Sequence, residues 1–295
     1  MKVGVGILHY RFWPGVRATL DALLAQTVDP DELVLIDHAS KNGSAEKIRG
    51  AYPNLEVIEV QQNRGPAVGM NLATQALLTR DIDAVLVLPD DCRLAPDALE
   101  HLAARLRADP GLGAVGPLVG HLNEPERVFY AGGYLDPRTW DFRLRQLPPA
   151  LSDWEGRPPH PVQWLELFMA RVSAVRETGP MHEGFYYWGD DCDYTLRMRS
   201  LGWRLECVPA AVAWQDLGYP ASQYLVTRNT LGFIARNAPR KYLVRELMRV
   251  VYHLIRSTVR PENPAQRSEV WPRIRGLVDF CRGRWGPPPA SLEHR

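Results

Sequence analysis

A chain of 295 residues, 45% of them hydrophobic, can bury one large core, alone or with an appendage. It has no run of 18 apolar residues, so no membrane-spanning helix is expected, and Met1–Leu8 lacks the basic flank and cleavage site of a signal peptide. Cys92, Cys192, Cys207 and Cys281 form no C-x-x-C pair, which reads as reduced thiols and a cytoplasmic location. The net charge of +1 divides unevenly: residues 221–295 carry 14 Lys+Arg against 5 Asp+Glu, and residues 1–220 carry 21 against 29. That asymmetry suggests an acidic body and a basic tail with separate jobs, or a merely solvated helical face. No nucleic-acid partner is expected.

In chain order, the apolar run Lys2–Leu8 reads as a buried strand, and Val16–Gln26 has helical spacing at Val16, Leu20, Leu23 and Leu24. Asp31–Asp37 reads as a second strand ending in an acid, Ser44–Tyr52 as a helix capped by Ser44, and Leu55–Val60 as a third strand. Pro66–Leu78 is a helix, Ala84–Leu88 a fourth strand, Pro96–Ala108 a helix with Pro96 in its first turn, and Ala114–Pro117 a short strand. Such alternation predicts an α/β fold with a mostly parallel sheet and helices on both faces. Ligands then bind at the carboxyl ends of the strands, where Asp37 and the Asp90–Asp91 pair should converge. Residues 120–165 lose periodicity and read as a long, mostly irregular excursion. Beyond Tyr224 the pattern is helical again, at Leu243, Leu247, Val250, Val251, Leu254 and Ile255.

Asp190, Asp191 and Asp193 open a helix after four aromatics, Phe185–Trp188. Acids suit a helix N-terminus on electrostatic grounds alone. Three within four residues also repel, which a cation, a donor or a catalytic duty would offset. Aromatic faces beside carboxylates are a common way to hold a sugar ring. Asp37 could accept from a pyrimidine N–H or a ribose hydroxyl. Asn63 and Arg64 could face phosphate or ribose, although Asn-x-Gly also makes ordinary turns. His9 is either a core histidine or a nucleotide contact.

In order along the chain, GILHY, VLIDHASKNGS, NRGPAVGMN, VLVLPDDCRLAPDAL, GAVGP, GFYYWGDDCDYTLRMRSLGWRLECVPAAVAW and TRN resemble the family 2 glycosyltransferases of GT-A fold over residues 1–235. The rhamnosyltransferase-like and galactofuranosyltransferase-like branches, which build bacterial surface polysaccharides, are the most similar. The resemblance implies an inverting, metal-dependent hexosyltransferase acting on a UDP- or dTDP-linked sugar and a glycan or lipid-linked acceptor. It implies a GT-A catalytic domain over 1–220, with a nucleotide-binding part (1–120) and an acceptor and catalytic part (121–220). A basic helical extension would occupy 221–295.

Carried over by position, Asp191 would be the general base, and Asp190, Asp193, Trp188 and Tyr187 would serve the acceptor. His9, Asp37, Asn63, Arg64 and Asp90 would serve the nucleotide, with Asp90 also the middle residue of the D-x-D motif. Asp91 would hold a divalent cation, Mg²⁺ or Mn²⁺. Two departures stand out: Pro89 replaces the first acid of D-x-D, and Gln215, or Asp216 beside it, falls where the family supplies a metal-binding histidine. Arg228 and Asn229 would close over the diphosphate or cap a helix. Trp140, Trp154 and Trp164 would form an acceptor surface or cover the core. A tail helix with Arg245, Arg249 and Arg256 among Leu247, Val250 and Leu254 would rest on anionic lipid at the inner membrane face, or pack on its own domain. The competing class is a non-catalytic binder of nucleotide sugar or glycan. A dinucleotide-binding dehydrogenase is excluded, because Val3–Gly6 does not continue as G-x-G-x-x-G.

Overall fold

The computed structural model describes residues 1–140, 142–144, 148–216, 222–259, 267–289 and 292. The expected boundary at 220/221 lies outside the described residues. The first half follows the predicted alternation: β1 (Val3–His9), α1 (Trp13–Leu24), β2 (Glu32–Asp37), α2 (Ser44–Ala51), β3 (Glu56–Glu59), α3 (Pro66–Leu78), β4 (Ala84–Pro89), β5 (Cys92–Leu94) and α4 (Ala98–Ala108). Then come β6 (Leu112–His121), β7 (Glu124–Tyr130), β8 (Gly133–Leu135), β9 (Phe142–Leu144), β10 (His160–Pro161), β11 (Met169–Arg171), α5 (Val172–Thr178), α6 (Asp190–Ser200) and β12 (Arg204–Gln215). Helices α7 (Gln223–Asn237), α8 (Arg240–Val259) and α9 (Val270–Cys281) follow.

The main sheet runs β10-β12-β6-β11-β4-β1-β2-β3, with β5 on β12 and β7 on β6. Strands β3, β2, β1 and β4 are parallel, as are β6 and β12, while β11 lies antiparallel between β4 and β6. The order places β1 at the centre of the first half. Its odd residues Val3, Val5 and Ile7 pack with Val16, Leu20 and Leu23 of α1. Its even face explains the Gly4–Gly6 alternation: a Cβ on Gly4 would come within 2.9 Å of Leu77, and one on Gly6 within 2.8 Å of Ala73. Helix α3 therefore sits directly on the β1 backbone, which only glycine permits.

Three expectations change. Ser44 begins α2 rather than capping it, because left-handed Gly43 holds the cap position and the Ser44 hydroxyl goes to His9. Helix α4 begins two residues after Pro96, at Ala98. The excursion at 120–165 is more ordered than its composition suggests: β7 folds back on β6, β8 pairs with β9, and β10 pairs with distant β12. Trp154 and Trp164 are buried there and cover the core, while Trp140 packs on Tyr242 of α8.

In α8 the apolar set expected to reach lipid faces inward instead. Val250 is buried, and Leu247 and Leu254 are partly so. The solvent side carries a different stripe: Val244, Met248, Val251, Tyr252, Ile255 and Val259, with Trp271 of α9 also exposed.

Candidate active site

The carboxyl ends of β1, β2 and β4 bring His9, Asp37 and Asp90 to one edge, with His9 opposite Asp37 and Leu8 opposite Pro89. His9 is fully buried, and both its ring nitrogens are occupied: Nδ1 lies 2.7 Å from Asp90 Oδ2, and Nε2 lies 2.8 Å from Ser44 Oγ. Its expected nucleotide contact is thereby corrected. It is a core histidine that fixes Asp90, whose Oδ2 also accepts from the Tyr10 N–H at 2.9 Å. Asp37 is buried, and its Oδ1 accepts from the Ser40 N–H at 3.0 Å, shaping the loop to Gly43. No hydrogen bond to a described residue occupies its other oxygen.

Asn63 and Arg64 are also committed locally. Asn63 Oδ1 accepts from the Gly65 N–H at 2.9 Å, an Asx turn, and the Arg64 guanidinium pairs with Glu183 at 3.1 Å. That pair is half exposed and worth little, so phosphate could displace it. Gly65 enters α3 at φ +95°, with Tyr186 so near that a Cβ would lie 2.5 Å from its ring. The α3 entrance and the aromatic loop before α6 are thus in contact.

Asp91 is placed by β5 and β12. Gln215 stands opposite Cys92 in that pairing, and its Nε2 donates to Asp91 Oδ1 at 3.3 Å. Burial, and then the charge of Asp90, raise the Asp91 pKa to about 7. Asp216 pushes the same way, and only the Gln215 and backbone hydrogen bonds oppose it. Among the described residues, no three His, Cys, Asp or Glu side chains form a metal site by themselves. The donor set nevertheless fits a hard divalent cation of the kind held by one or two carboxylates and completed by a ligand's phosphates. Asp91 would supply the main bond, and Gln215 could contribute only through its amide oxygen. Near neutral pH a bound cation would relieve the electrostatic strain of a desolvated carboxylate among acids.

Helix α6 starts at Asp190 after left-handed Gly189. Asp191 Oδ1 accepts from the Cys192 N–H at 2.8 Å, while burial, Asp190 and then Glu166 hold its pKa well above the carboxylate range. Asp190 is nearly buried and is raised likewise, by burial first. Asp193 does not serve the site, which corrects its expected acceptor role. It is fully buried and accepts from Arg197 at 3.2 Å, Arg236 at 3.3 Å and Asn237 at 2.8 Å, tying α6 to the end of α7. Tyr187 and Trp188 are exposed beside the acids, and Trp188 has φ +85° and Tyr186 +64°.

This strained loop is held from below by α7. The fully buried Asn229 amide donates to the carbonyls of Phe185 at 2.8 Å, Tyr187 at 2.9 Å and Trp188 at 2.9 Å. Arg228, also fully buried, donates to Phe185 and Gly286 carbonyls. Neither closes over a diphosphate or caps a helix. The C-terminal helices are therefore joined to the site rather than appended. Asn229→Ala would leave the three carbonyls without their donor in a dry setting, and should lower unfolding free energy by roughly 2–4 kcal/mol, read by chemical denaturation.

Glu166, between Trp164 and β11, is the residue that sequence reasoning missed. A single acid in the apolar run WLELFMA carries no motif. Yet burial, then Asp91 and Asp190, raise its pKa, so it shares the electrostatic surroundings of the acids from β4 and α6.

Comparison with known proteins gives the following. The sequence model of "Glycosyl transferase family 2" matches residues 5–173. A curated relative, the N-acetylglucosaminyl-diphospho-decaprenol L-rhamnosyltransferase of Mycobacterium tuberculosis (strain CDC 1551 / Oshkosh), is 25% identical over 227 residues, 67% of this chain and 70% of the relative. The same enzyme of strain ATCC 25618 / H37Rv matches to the same extent. Among solved structures, S. aureus TarS 1-349 superposes with TM-score 0.60 and 15% identity, over 95% of this chain and 81% of that one. GalNAc-T7 with UDP, GalNAc and Mn²⁺ gives TM-score 0.58 and 16% identity, over 85% of this chain and 57% of that one. These structural likenesses show the fold, which is GT-A.

Proposed function

The chain belongs to glycosyl transferase family 2, and from that premise we propose that it moves a sugar from a UDP- or dTDP-linked donor to a hydroxyl of a lipid-linked or glycan acceptor, with inversion. What supports the reading is that Tyr187, beside the start of α6, feels the charges of Asp91, from the end of β4, and of Asp190 and Asp191 alike, and that the Glu166 pKa is raised, after burial, by Asp91 and Asp190 together. Asp37 and the Asn63–Arg64 turn would hold the nucleotide. A divalent cation, Mg²⁺ or Mn²⁺, would neutralise the departing diphosphate. Asp191 takes the acceptor's proton, the acceptor oxygen bonds to the anomeric carbon, and the carbon–oxygen bond to the diphosphate breaks. One displacement by one base inverts the centre. Tyr187 and Trp188 offer the aromatic surface on which an acceptor sugar can stack. The name of the mycobacterial relative specifies a diphospho-decaprenol-linked substrate, which supports a lipid-linked acceptor here; the role proposed for the chain is surface polysaccharide synthesis at the cytoplasmic face.

A nucleotide screen tests this reading without knowing the acceptor. UDP or dTDP at 100 times its Kd, with Mn²⁺, should stabilise the protein by about 2.7 kcal/mol. No shift with any nucleoside diphosphate would remove the proposal.

A lipid-borne acceptor also needs the enzyme at a membrane, and the outer face of α8 supports that. Its exposed stripe Val244–Met248–Val251–Tyr252–Ile255 is bordered by Lys241, Arg245, Arg249 and Arg256. Basic edges on an apolar face favour an anionic bilayer and oppose pairing with a second copy. The protein should float with phosphatidylglycerol vesicles at low salt but not with phosphatidylcholine. The triple variant Met248→Glu, Tyr252→Glu, Ile255→Glu should abolish flotation, and undiminished flotation would refute the assignment.

A further inference from the structure

Trp285 lies beyond the last helix, well outside residues 5–173 that match the family model, yet it packs against the loop that leads into α6. Helix α9 ends at Cys281, and the chain turns at Gly283, where φ is +62°. The Arg284 N–H donates to the Asp279 carbonyl at 2.8 Å, which ties the turn to α9. The Gly286 N–H then donates to the Gly184 carbonyl at 2.9 Å. Fully buried Arg228 joins the two segments, donating to the Gly286 carbonyl at 2.7 Å and to the Phe185 carbonyl at 3.1 Å.

The indole is the wedge of this joint. Its ring centroid lies 5.9 Å from that of His182 and 5.8 Å from that of Phe185, both edge-on, and the Arg228 guanidinium stands 5.6 Å from it. Contacts of this kind favour one ring orientation. Two glycines make room for it. A Cβ on Gly232 of α7 would stand 2.2 Å from the ring, and one on Gly184 would stand 3.0 Å from the Trp285 Cβ. The loop, α7 and the chain end are thus shaped to one another.

The loop needs that support. Tyr186 and Trp188 hold φ of +64° and +85°, where residues other than glycine are strained. Such strain persists only where the surroundings over-determine it. Asn229 fixes the carbonyls of Phe185, Tyr187 and Trp188 from α7, and Trp285 with Gly286 fixes the start of the loop from the chain end. Helix α6 begins at Asp190, directly after Gly189, so a shift of the loop passes to Asp190 and Asp191. We propose that Trp285 is a positioning residue for the transfer: it wedges the chain end against the loop 182–188 and so sets where Tyr187, Trp188 and the first turn of α6 stand. This rests on the transferase reading above.

The test compares wild type, Trp285→Ala, Trp285→Phe and Gly232→Ala. In Trp285→Ala, amide hydrogen exchange across residues 183–189 should quicken by about tenfold or more, with the amides of β1 and β4 unchanged. The kcat for release of nucleoside diphosphate in Mn²⁺ is read on UDP-glucose, UDP-galactose and dTDP-rhamnose. It should fall by about tenfold or more, while KM for the sugar nucleotide changes by less than about twofold, because β1, β2 and β4 carry the nucleotide side. Trp285→Phe keeps an aromatic edge and should recover most of both losses. Gly232→Ala, which displaces the ring from the α7 side, should reproduce them. Unchanged exchange at 183–189, exchange that quickens evenly through the molecule, or an unchanged kcat would overturn the role. If Trp285→Ala fails to fold, Gly232→Ala carries the comparison. Wild-type protein that releases nothing from the three sugar nucleotides would instead count against the transferase reading, and the exchange arm alone would then decide whether Trp285 holds the loop.

Discussion

Asp191→Asn should reduce glycosyl transfer by roughly a thousandfold, about 4 kcal/mol in the barrier, while leaving donor binding intact. The amide keeps the shape and still accepts from the Cys192 N–H, but it cannot take a proton. Burial, Asp190 and Glu166 raise the Asp191 pKa, which makes its carboxylate a stronger base than a solvated aspartate. The same shift fixes the sign of the pH dependence. Only the deprotonated form acts, so the rate falls as pH is lowered through the raised pKa, well above the usual carboxylate range. A plot of log kcat/KM against pH reads that limb directly. The variant should also be more stable than the wild type at pH 7, because it removes a buried negative charge among acids. Activity lost with stability gained separates a catalytic role from a structural one.

Asp91→Asn should have the second largest effect, on the order of a hundredfold in turnover, or about 3 kcal/mol. Mn²⁺ should raise the thermal midpoint of the wild type and leave that of the variant unmoved. Chelator should abolish transfer, and undiminished activity in excess chelator would end the metal assignment. The folded-state pKa of Asp91 is raised from 3.8 to about 7 by burial and Asp90. The folded state therefore favours the protonated form. Stability contributed by this group is greatest below the unfolded pKa, declines as pH rises from about 4 to about 7, and is flat above. Discounted for partial exposure, the decline is on the order of 2 kcal/mol, and Asp91→Asn should remove it. Protons compete with the cation, so Mn²⁺ stabilisation should be weaker at pH 5 than at pH 8.

Much of the sheet was legible because its strands declare themselves locally. AVLVLPDD is a buried strand followed by acids, and the parallel order places such ends on one edge. Asp37, Asp90 and Asp91 could therefore be expected on one edge, while Asp191 joined them only through the family resemblance. What was not legible depends on non-local pairing. Glu166 is a lone acid in an apolar run, and only the folded chain sets it in the electrostatic surroundings of Asp91 and Asp190. Asp193 looked like its neighbours, but α6 turns it inward, towards Arg236 and Asn237. In α8 nearly every position off the charged residues is apolar. Periodicity therefore could not choose between the Leu247–Val250–Leu254 face and the Met248–Tyr252–Ile255 face until α7 and α9 covered one of them. The strands within 120–165 are short and their Pro and Gly content hid them, and β10 pairs with distant β12.

The central claim is that one acidic pocket holds a nucleotide diphosphate-sugar against Asp191. The most direct measurement is release of nucleoside diphosphate from a panel of UDP- and dTDP-sugars in Mn²⁺, comparing wild type with Asp191→Asn. Slow turnover of at least one sugar by the wild type, lost in Asp191→Asn while calorimetry records unchanged binding of that sugar nucleotide, is the predicted result. Equal release by both proteins, or binding that disappears together with release, would contradict it.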